Sequence, residues 1–175
     1  TIDSANMLNK GFEIIEAHYL FNLDYSQLQA IIHPQSIIHA CLETCDGAVL
    51  CHMGPADMRY PIQYALFEYE RLKKTWTPFH LNQLKNLGFF DIEAKRFPLF
   101  ELAINCGKQG GAAPAALIAA NDIAVDLFLK EKLSFTNLST CLIKTVEKFQ
   151  HQPVSSIDDV LQIDQDVKYY VRKNY

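Results

Sequence analysis

From Pro98 to the C-terminus the sequence shows helical periodicity without a strand pattern, and this constrains the fold more than any other feature. Pro98 suits the first position of a helix, and the pair Gly110-Gly111 is typical of its end. A second, alanine-rich helix is predicted over residues 112–130. This half of the chain is therefore expected to be all-α.

Two further helices are predicted downstream. Thr136 or Asn137 is expected to cap a third helix that ends near Gln150. Ser156, with Asp159 three residues later, resembles a capping box for a fourth. Four helices joined by short connections predict a four-helix C-terminal domain over residues 98–175.

The N-terminal third shows mixed signals. Asp3 or Ser4 is expected to cap a helix that runs to about Phe21. One face of this helix should be apolar, because four large side chains recur at helical spacing: Leu8, Phe12, Ile15 and Tyr19. A short strand is predicted over residues 27–33, because Pro34 cannot continue a ladder.

A β-hairpin is predicted around Asp46-Gly47, the dipeptide favoured in two-residue turns. Its strands would span residues 37–45 and 48–53, with Cys41 opposite His52. One face, expected to cover a core, holds Ile38, Ala40, Leu42, Thr44, Val49, Cys51 and Met53. The other face is mixed and is expected to look toward a helix, a cavity or a partner; it holds His39, Cys41, Glu43, Cys45, Ala48, Leu50 and His52.

A helix is predicted after the hairpin, from residues 57–61 through Ile62 to Tyr69. These patterns divide the chain into an α/β (α+β) part with a hairpin-containing sheet (1–68), an ordered linker with Trp76 (69–97) and the four-helix domain.

Composition limits the classes of function. The 175 residues carry a net charge of −4 and are 49% hydrophobic, which is typical of a globular domain and excludes intrinsic disorder. The acidic excess argues against nucleic acid and anionic membranes as partners. No apolar run is expected to come near the roughly 20 residues of a membrane helix. The five cysteines, odd in number and without CxxC spacing, indicate free thiols in a reducing compartment.

The polar residues of the first helix form the sharpest candidate site. Asn9 and Glu13 are four residues apart and Lys10 and Glu13 three apart, which places all three on one helix face, with Ser4 near the N-terminus. Such a group could cradle a phosphate and hold a divalent cation. The alternative is a solvated helix face with an intrahelical Lys10–Glu13 pair.

Other candidate sites have less support from spacing. Cys41 and His52 could bind zinc, with Glu43 and His39 nearby, but their spacing matches no familiar zinc pattern and plain packing is favoured. The glycines near residue 110 lack the context of a phosphate loop. Asn121 and Asp122 interrupt an apolar helix and are assigned no function.

Four segments in this order and spacing resemble the 1-deoxy-D-xylulose 5-phosphate reductoisomerase family. They are residues 3–13 (DSANMLNKGFE), 33–39 (HPQSIIH), 54–62 (GPADMRYPI) and 119–122 (AAND). The likeness covers essentially the whole chain and corresponds to the latter half of the family's proteins. It implies the end of a central catalytic α/β domain, a linker and a C-terminal four-helix domain.

The resemblance also implies an activity. Family members rearrange and reduce 1-deoxy-D-xylulose 5-phosphate to 2-C-methyl-D-erythritol 4-phosphate, with NADPH and Mg²⁺ or Mn²⁺, in non-mevalonate isoprenoid synthesis. They act as homodimers, and a cytoplasmic (bacterial) or plastid-type location is expected.

Residue by residue, the resemblance implies roles for the polar cluster. Ser4, Asn9 and Lys10 match positions that hold the substrate phosphate, and Glu13 matches an acidic metal ligand that also contacts the substrate. Lys10 and Glu13 are the expected catalytic residues.

Met58 matches a residue of the active-site wall and His39 a histidine close to the site. The family's NADPH-binding domain, its other metal ligands and its active-site loop have no counterpart here, and Trp76 is not that loop's tryptophan. The chain, which lacks an initiator Met, is therefore expected to be a fragment that is inactive alone. The alternative is a non-catalytic helical interaction module.

Overall fold

The computed structural model describes residues 2–68, 70–73 and 80–175. Among these residues it contains seven α-helices and one two-stranded antiparallel sheet, so the chain is mostly helical. Two units form: residues 1–30 together with 92–175, and residues 31–91.

The larger unit is helical. Its elements are α1 (Ile2–Ala5), α2 (Leu8–Phe21), a 3-10 turn (Tyr25–Gln27), α4 (Pro98–Gln109), α5 (Ala112–Leu129), α6 (Phe135–Phe149) and α7 (Ile157–Asn174). In the smaller unit the elements are β1 (Ile38–Glu43), β2 (Val49–Met53), α3 (Arg59–Leu66) and a 3-10 turn (Leu81–Gln83).

The core of the larger unit forms around α5, which packs against α4, α6 and α7. Pro98 occupies the first turn of α4 as predicted, and α4 ends before Gly110, whose φ is +67°. The predicted capping box is confirmed: the Ser156 hydroxyl accepts from the Asp159 N–H at 3.2 Å, and the Asp159 carboxylate accepts from the Ser156 N–H at 2.9 Å.

The predicted cap of α6 at Thr136 or Asn137 is wrong by two or three residues. Ser134 is the N-cap, and its hydroxyl accepts from the Asn137 N–H at 3.3 Å. Asn137 is thus the third residue of the helix, where an N–H needs a capping acceptor.

The expectation that no apolar run comes near the length of a membrane helix is wrong for α5. By length and composition its 18 residues could span a membrane, and 56% of them are buried inside the protein. A core helix satisfies the same criteria, and α5 holds ten of the buried residues of the larger unit.

The predicted N-terminal helix is broken into α1 and α2 at Asn6 and Met7. Met7 adopts a left-handed conformation (φ +65°), and the Asn6 side-chain oxygen accepts from the Leu8 N–H at 2.9 Å. This amide supplies the acceptor that the new helix start requires. Ser4 therefore lies inside α1 and caps neither helix.

One face of α2 packs closely on α4. Leu8, Gly11 and Ile14 are its buried residues, whereas Tyr19, predicted to share this face, is 66% exposed. A Cβ atom on Gly11 would lie 2.4 Å from the Cβ of Ala103 on α4. The two helices approach closely because residue 11 has no side chain.

The predicted hairpin is confirmed, but its register is shifted by one residue. Thr44 N–H donates to the Ala48 carbonyl and Gly47 N–H to the Thr44 carbonyl, both at 2.9 Å. The loop thus contains three residues, with Gly47 at φ +83°. Cys41 pairs with Cys51 instead of His52.

This register changes the predicted faces of β2, because a slip of one residue turns every side chain to the opposite face. Both strands are largely exposed within the described chain, so the prediction that one face covers a core is wrong there.

Other predictions for the smaller unit also need correction. The strand expected at 27–33 is reduced to one isolated bridge between Ile32 and Phe90. Helix α3 ends at Leu66, and Tyr69 and Trp76 lie outside the described residues.

Candidate functional site

The polar face at the start of α2 brings three of the predicted site residues together. The Asn9 amide donates to Glu13 Oε1 at 2.5 Å, and the Lys10 ammonium donates to Glu13 Oε2. The side chains of Lys10 and Glu13 are 44% and 43% exposed. The three residues share one helix face as predicted, and the Lys10–Glu13 pair of the alternative interpretation, a solvated helix face, is present as well.

Ser4 lies on the other side of the break, in α1, and is exposed. Its backbone carbonyl accepts from the Met7 N–H at 3.4 Å. In the described part of the chain its hydroxyl makes no hydrogen bond to Asn9, Lys10 or Glu13, so the structure does not join it to their network.

The arrangement offers several hydrogen-bond donors to an anionic ligand. The Asn9 amide and the Lys10 ammonium lie in the first turn of α2, where the helix dipole favours negative charge. An anion would have to compete with Glu13 for both donors, since its carboxylate holds them here. A cation on Glu13 would release them.

The fit to a divalent metal is partial. Glu13 supplies one carboxylate, whereas Mg²⁺ is coordinated octahedrally by about six oxygen atoms. Among the residues the structure describes, no three His, Cys, Asp or Glu side chains converge on a possible metal position. Glu13 can thus be one ligand of a site completed by other groups.

A partly buried polar contact between α1 and α5 was not predicted from the sequence. The Asn121 amide on α5 donates to Asp3 Oδ2 on α1 at 2.8 Å, and Asn121 is only 6% exposed. It links the residue before Ser4 to the core helix across 118 positions of sequence. A polar Asn within the apolar α5 was the available signal, but no function was assigned to it.

Three buried polar atoms belong to this contact region and have no partner among the described residues. They are Asp3 Oδ1, Asn6 Nδ2 and Asn121 Oδ1. Asn6 uses its other side-chain atom to cap α2. The start of α2 is held by the partnered oxygen of Asn6, whereas the three unpartnered atoms cost free energy because they are buried without hydrogen bonds.

His39 and Met58 belong to the smaller unit. The exposed His39 has Nε2 3.2 Å from the carbonyl oxygens of both Gly54 and Pro55, to which only a protonated nitrogen can donate. Met58 precedes α3 and is 69% exposed.

The neighbours of Met58 form an ion pair. The Arg59 guanidinium donates to the Asp57 carboxylate at 2.6–2.9 Å and lowers the pKa of Asp57. Arg59 also donates its backbone N–H to Asp57 at 3.0 Å, so this turn is fixed on both sides of Met58.

The hairpin does not form the predicted Cys41–His52 pair. Cys41 Sγ lies 3.2 Å from Cys51 Sγ, and this contact raises the pKa of the Cys41 thiol. The His39 and His52 rings are 5.9 Å apart, centroid to centroid. The described hairpin thus offers a pair of thiols rather than a zinc ligand set.

Comparison with protein families gives matches over most of the chain. Residues 53–170 match the DXP reductoisomerase C-terminal domain, and residues 1–21 match the 1-deoxy-D-xylulose 5-phosphate reductoisomerase C-terminal domain.

Curated relatives with the name 1-deoxy-D-xylulose 5-phosphate reductoisomerase are similar along the whole chain. The protein of Sulfurihydrogenibium sp. (strain YO3AOP1) is 44% identical over 163 residues, which are 93% of this chain and 44% of the relative. That of Clostridium botulinum (strain Hall) is 40% identical over 175 residues, 100% of this chain and 46% of the relative. The chain thus spans about half the length of the curated relatives it matches.

Solved structures have the same fold. The reductoisomerase from Zymomonas mobilis in complex with NADPH superposes with a TM-score of 0.90 at 37% identity, covering 98% of this chain and 46% of that one. A DOX-P reductoisomerase in complex with NADPH, fosmidomycin and magnesium gives 0.89 at 37% identity, covering 98% and 44%. These matches confirm the resemblance seen in the sequence, and the chain belongs to the 1-deoxy-D-xylulose 5-phosphate reductoisomerase family.

Proposed function

We propose that this chain is the C-terminal part of an enzyme that converts 1-deoxy-D-xylulose 5-phosphate to 2-C-methyl-D-erythritol 4-phosphate with NADPH. The observation that carries the proposal is the cluster of Asn9, Lys10 and Glu13 on the first turns of α2, in a chain of this family. Relatives solved with NADPH and magnesium support both cofactors for the intact enzyme.

In this proposal the start of α2 binds the substrate phosphate. Ser4, Asn9 and Lys10 donate hydrogen bonds to it, and Lys10 adds a positive charge where the helix dipole already favours an anion. Binding energy from the phosphate, which does not react, orients the carbon chain that does. His39 and Met58 are proposed to line the wall of the active site.

Glu13 is proposed to contribute one ligand to Mg²⁺ or Mn²⁺. When bound, the metal polarises the substrate's oxygen atoms, and NADPH supplies the hydride. Asn9 and Lys10 hold the Glu13 carboxylate in position by hydrogen bonds. Binding of a metal ion to Glu13 and of phosphate to Asn9 and Lys10 would break these hydrogen bonds.

We infer that the remaining metal ligands and the NADPH site come from the rest of an intact, homodimeric enzyme. That this chain does not turn over by itself stays a prediction. The division into a partial catalytic domain (1–68), a linker (69–97) and a four-helix domain (98–175) stays a prediction for that enzyme.

The test is Lys10→Ala in the intact enzyme, with KM and kcat measured separately. A hydrogen bond to a charged group contributes about 1.5–3 kcal/mol, which corresponds to a rise in KM of about 10- to 150-fold. Lys130→Ala is the matched control, because Lys130 also pairs with a carboxylate one helix turn away, Asp126 at 2.8 Å. Its KM should stay unchanged.

Equal kinetics for the Lys10→Ala variant and the wild type would contradict the proposed role of α2. Glu13→Gln should weaken the dependence of the rate on metal concentration while leaving the fold intact. An interaction module without catalysis would show neither effect, and its unfolding temperature would not respond to the substrate.

A further inference from the structure

The hairpin places two exposed thiols opposite each other. Cys41 on β1 pairs with Cys51 on β2, and their sulfur atoms are 3.2 Å apart. The distance is shorter than that of an ordinary contact between two uncharged sulfur atoms, and the side chains already point at each other.

The backbone at this position also suits a disulfide. The Thr44–Ala48 hydrogen bond fixes the alternation of the antiparallel ladder, which makes Cys41–Cys51 a pair without its own backbone hydrogen bonds. The Cα atoms of such pairs are about 4.5 Å apart, at the lower end of the roughly 4.4–6.8 Å range that disulfides span. Closure of the bond therefore needs little movement of the strands.

We propose that Cys41 and Cys51 are a site of reversible thiol–disulfide exchange with a low-molecular-weight disulfide such as oxidised glutathione. One thiolate attacks the glutathione disulfide and releases one glutathione thiol. The second cysteine then attacks the mixed disulfide and releases the other. The protein loses two protons and two electrons, which reduce oxidised glutathione to two thiols.

The other three cysteines provide internal controls. Cys45 is exposed in the hairpin loop but has no opposing thiol within the described hairpin register, so it should stop at a mixed disulfide. Cys106 and Cys141 are buried, and burial raises the pKa of each thiol to about 11. Because burial also keeps glutathione away from them, unlike the exposed Cys41 and Cys51, they should not react in the folded protein.

The experiment treats the purified, folded chain with oxidised glutathione, blocks the remaining thiols and maps disulfides by mass spectrometry. Glu43 separates Cys41 from Cys45, and Asp46 separates Cys45 from Cys51. Cleavage after glutamate and before aspartate thus places the three cysteines on different peptides. The expected product is the Cys41 peptide linked to the Cys51 peptide, and reduced glutathione should reverse it.

Matched variants sharpen the result. Cys41→Ser and Cys51→Ser should each leave a mixed glutathione disulfide on the remaining cysteine, whereas Cys45→Ser should form the linked peptides as the wild type does. Linkage of Cys45 to either strand cysteine, or mixed disulfides alone in the wild type, would overturn the proposal. The wild-type map decides the question without any substitution, so a variant that fails to fold does not affect it.

Discussion

The close packing of α2 on α4 predicts that Gly11→Ala destabilises the protein, although the same change usually stabilises a helix. At an open helical position, alanine gains about 1 kcal/mol over glycine. Here the new Cβ would lie 2.4 Å from Ala103 Cβ, with the Phe100 carbonyl oxygen at 3.4 Å. Because a Cβ atom cannot rotate away, the helices must separate, and overpacking of this kind costs about 1–3 kcal/mol.

A double-mutant cycle isolates that clash. Ala103→Gly alone should cost about 2 kcal/mol, from lower helix propensity and the loss of a buried methyl group. In the double variant the methyl group is moved from α4 to α2, and the clash is removed. The double variant should therefore be about 1–3 kcal/mol more stable than the sum of the two single changes predicts.

The assay is urea unfolding followed by far-UV circular dichroism, since the larger unit is helical. Additivity within about 0.5 kcal/mol would refute the steric argument. So would a stabilising effect of Gly11→Ala alone, because it would mean that α2 and α4 are not in contact at this position.

Two further changes test the polar contacts of the larger unit. Asn121→Ala should lower the free energy of unfolding by about 1–3 kcal/mol, because it leaves the Asp3 carboxylate without the amide donor at 2.8 Å. Asp122→Ala, which removes only a partly exposed pair with Lys168, should cost at most about 1 kcal/mol in the same urea titration, and equal losses would contradict the role of Asn121. For Asp159, hydrogen bonds from Ser155 and Ser156 lower the pKa to about 2. A carboxyl group with a lowered pKa stabilises the fold above its unfolded pKa of about 3.9 and loses this effect as the pH falls through its folded value. The stability difference between wild type and Asp159→Asn should therefore shrink between about pH 4 and pH 2, and a constant difference would contradict this assignment.

The C-terminal helices could be predicted from sequence because their boundaries are local. Pro98 fits only the start of a helix, and the Ser156–Asp159 box satisfies two backbone groups within four residues. The cluster on α2 could be predicted for the same reason, since helix geometry alone brings Asn9, Lys10 and Glu13 together.

The hairpin register could not be predicted this way, because Asp46-Gly47 fits two loop lengths. The Asp46 carboxylate accepts from the Thr44 hydroxyl and from the Ala48 N–H at 3.2 Å, which favours the three-residue loop and lowers the pKa of Asp46. The dipeptide rule does not include these side-chain bonds. Because the loop has one residue more than predicted, Cys41 lies opposite Cys51 instead of His52.

The break before α2 depends on contacts that no local pattern contains. Met7 adopts a left-handed conformation that a residue other than glycine rarely takes, and Asn6 caps the new helix start. Asp3 is held by Asn121, 118 positions away.

The same helix α2 connects the core to the candidate site, and this allows effects on stability and on binding to be separated. Gly11 faces α4, while Lys10 and Glu13 beside it face outward. Asn9, Lys10 and Glu13 share one rigid helix, so a shift of α2 caused by Gly11→Ala would move all three together and preserve their mutual hydrogen bonds. Ser4 lies across the break in α1, which Asp3 ties to α5. A shift of α2 at Gly11 would therefore change the distance from Ser4 to Asn9, Lys10 and Glu13. In the proposed function, a phosphate held by Ser4, Asn9 and Lys10 together would therefore bind more weakly when α2 moves. A metal ion that joins Glu13 to ligands from other parts of the enzyme would also bind more weakly.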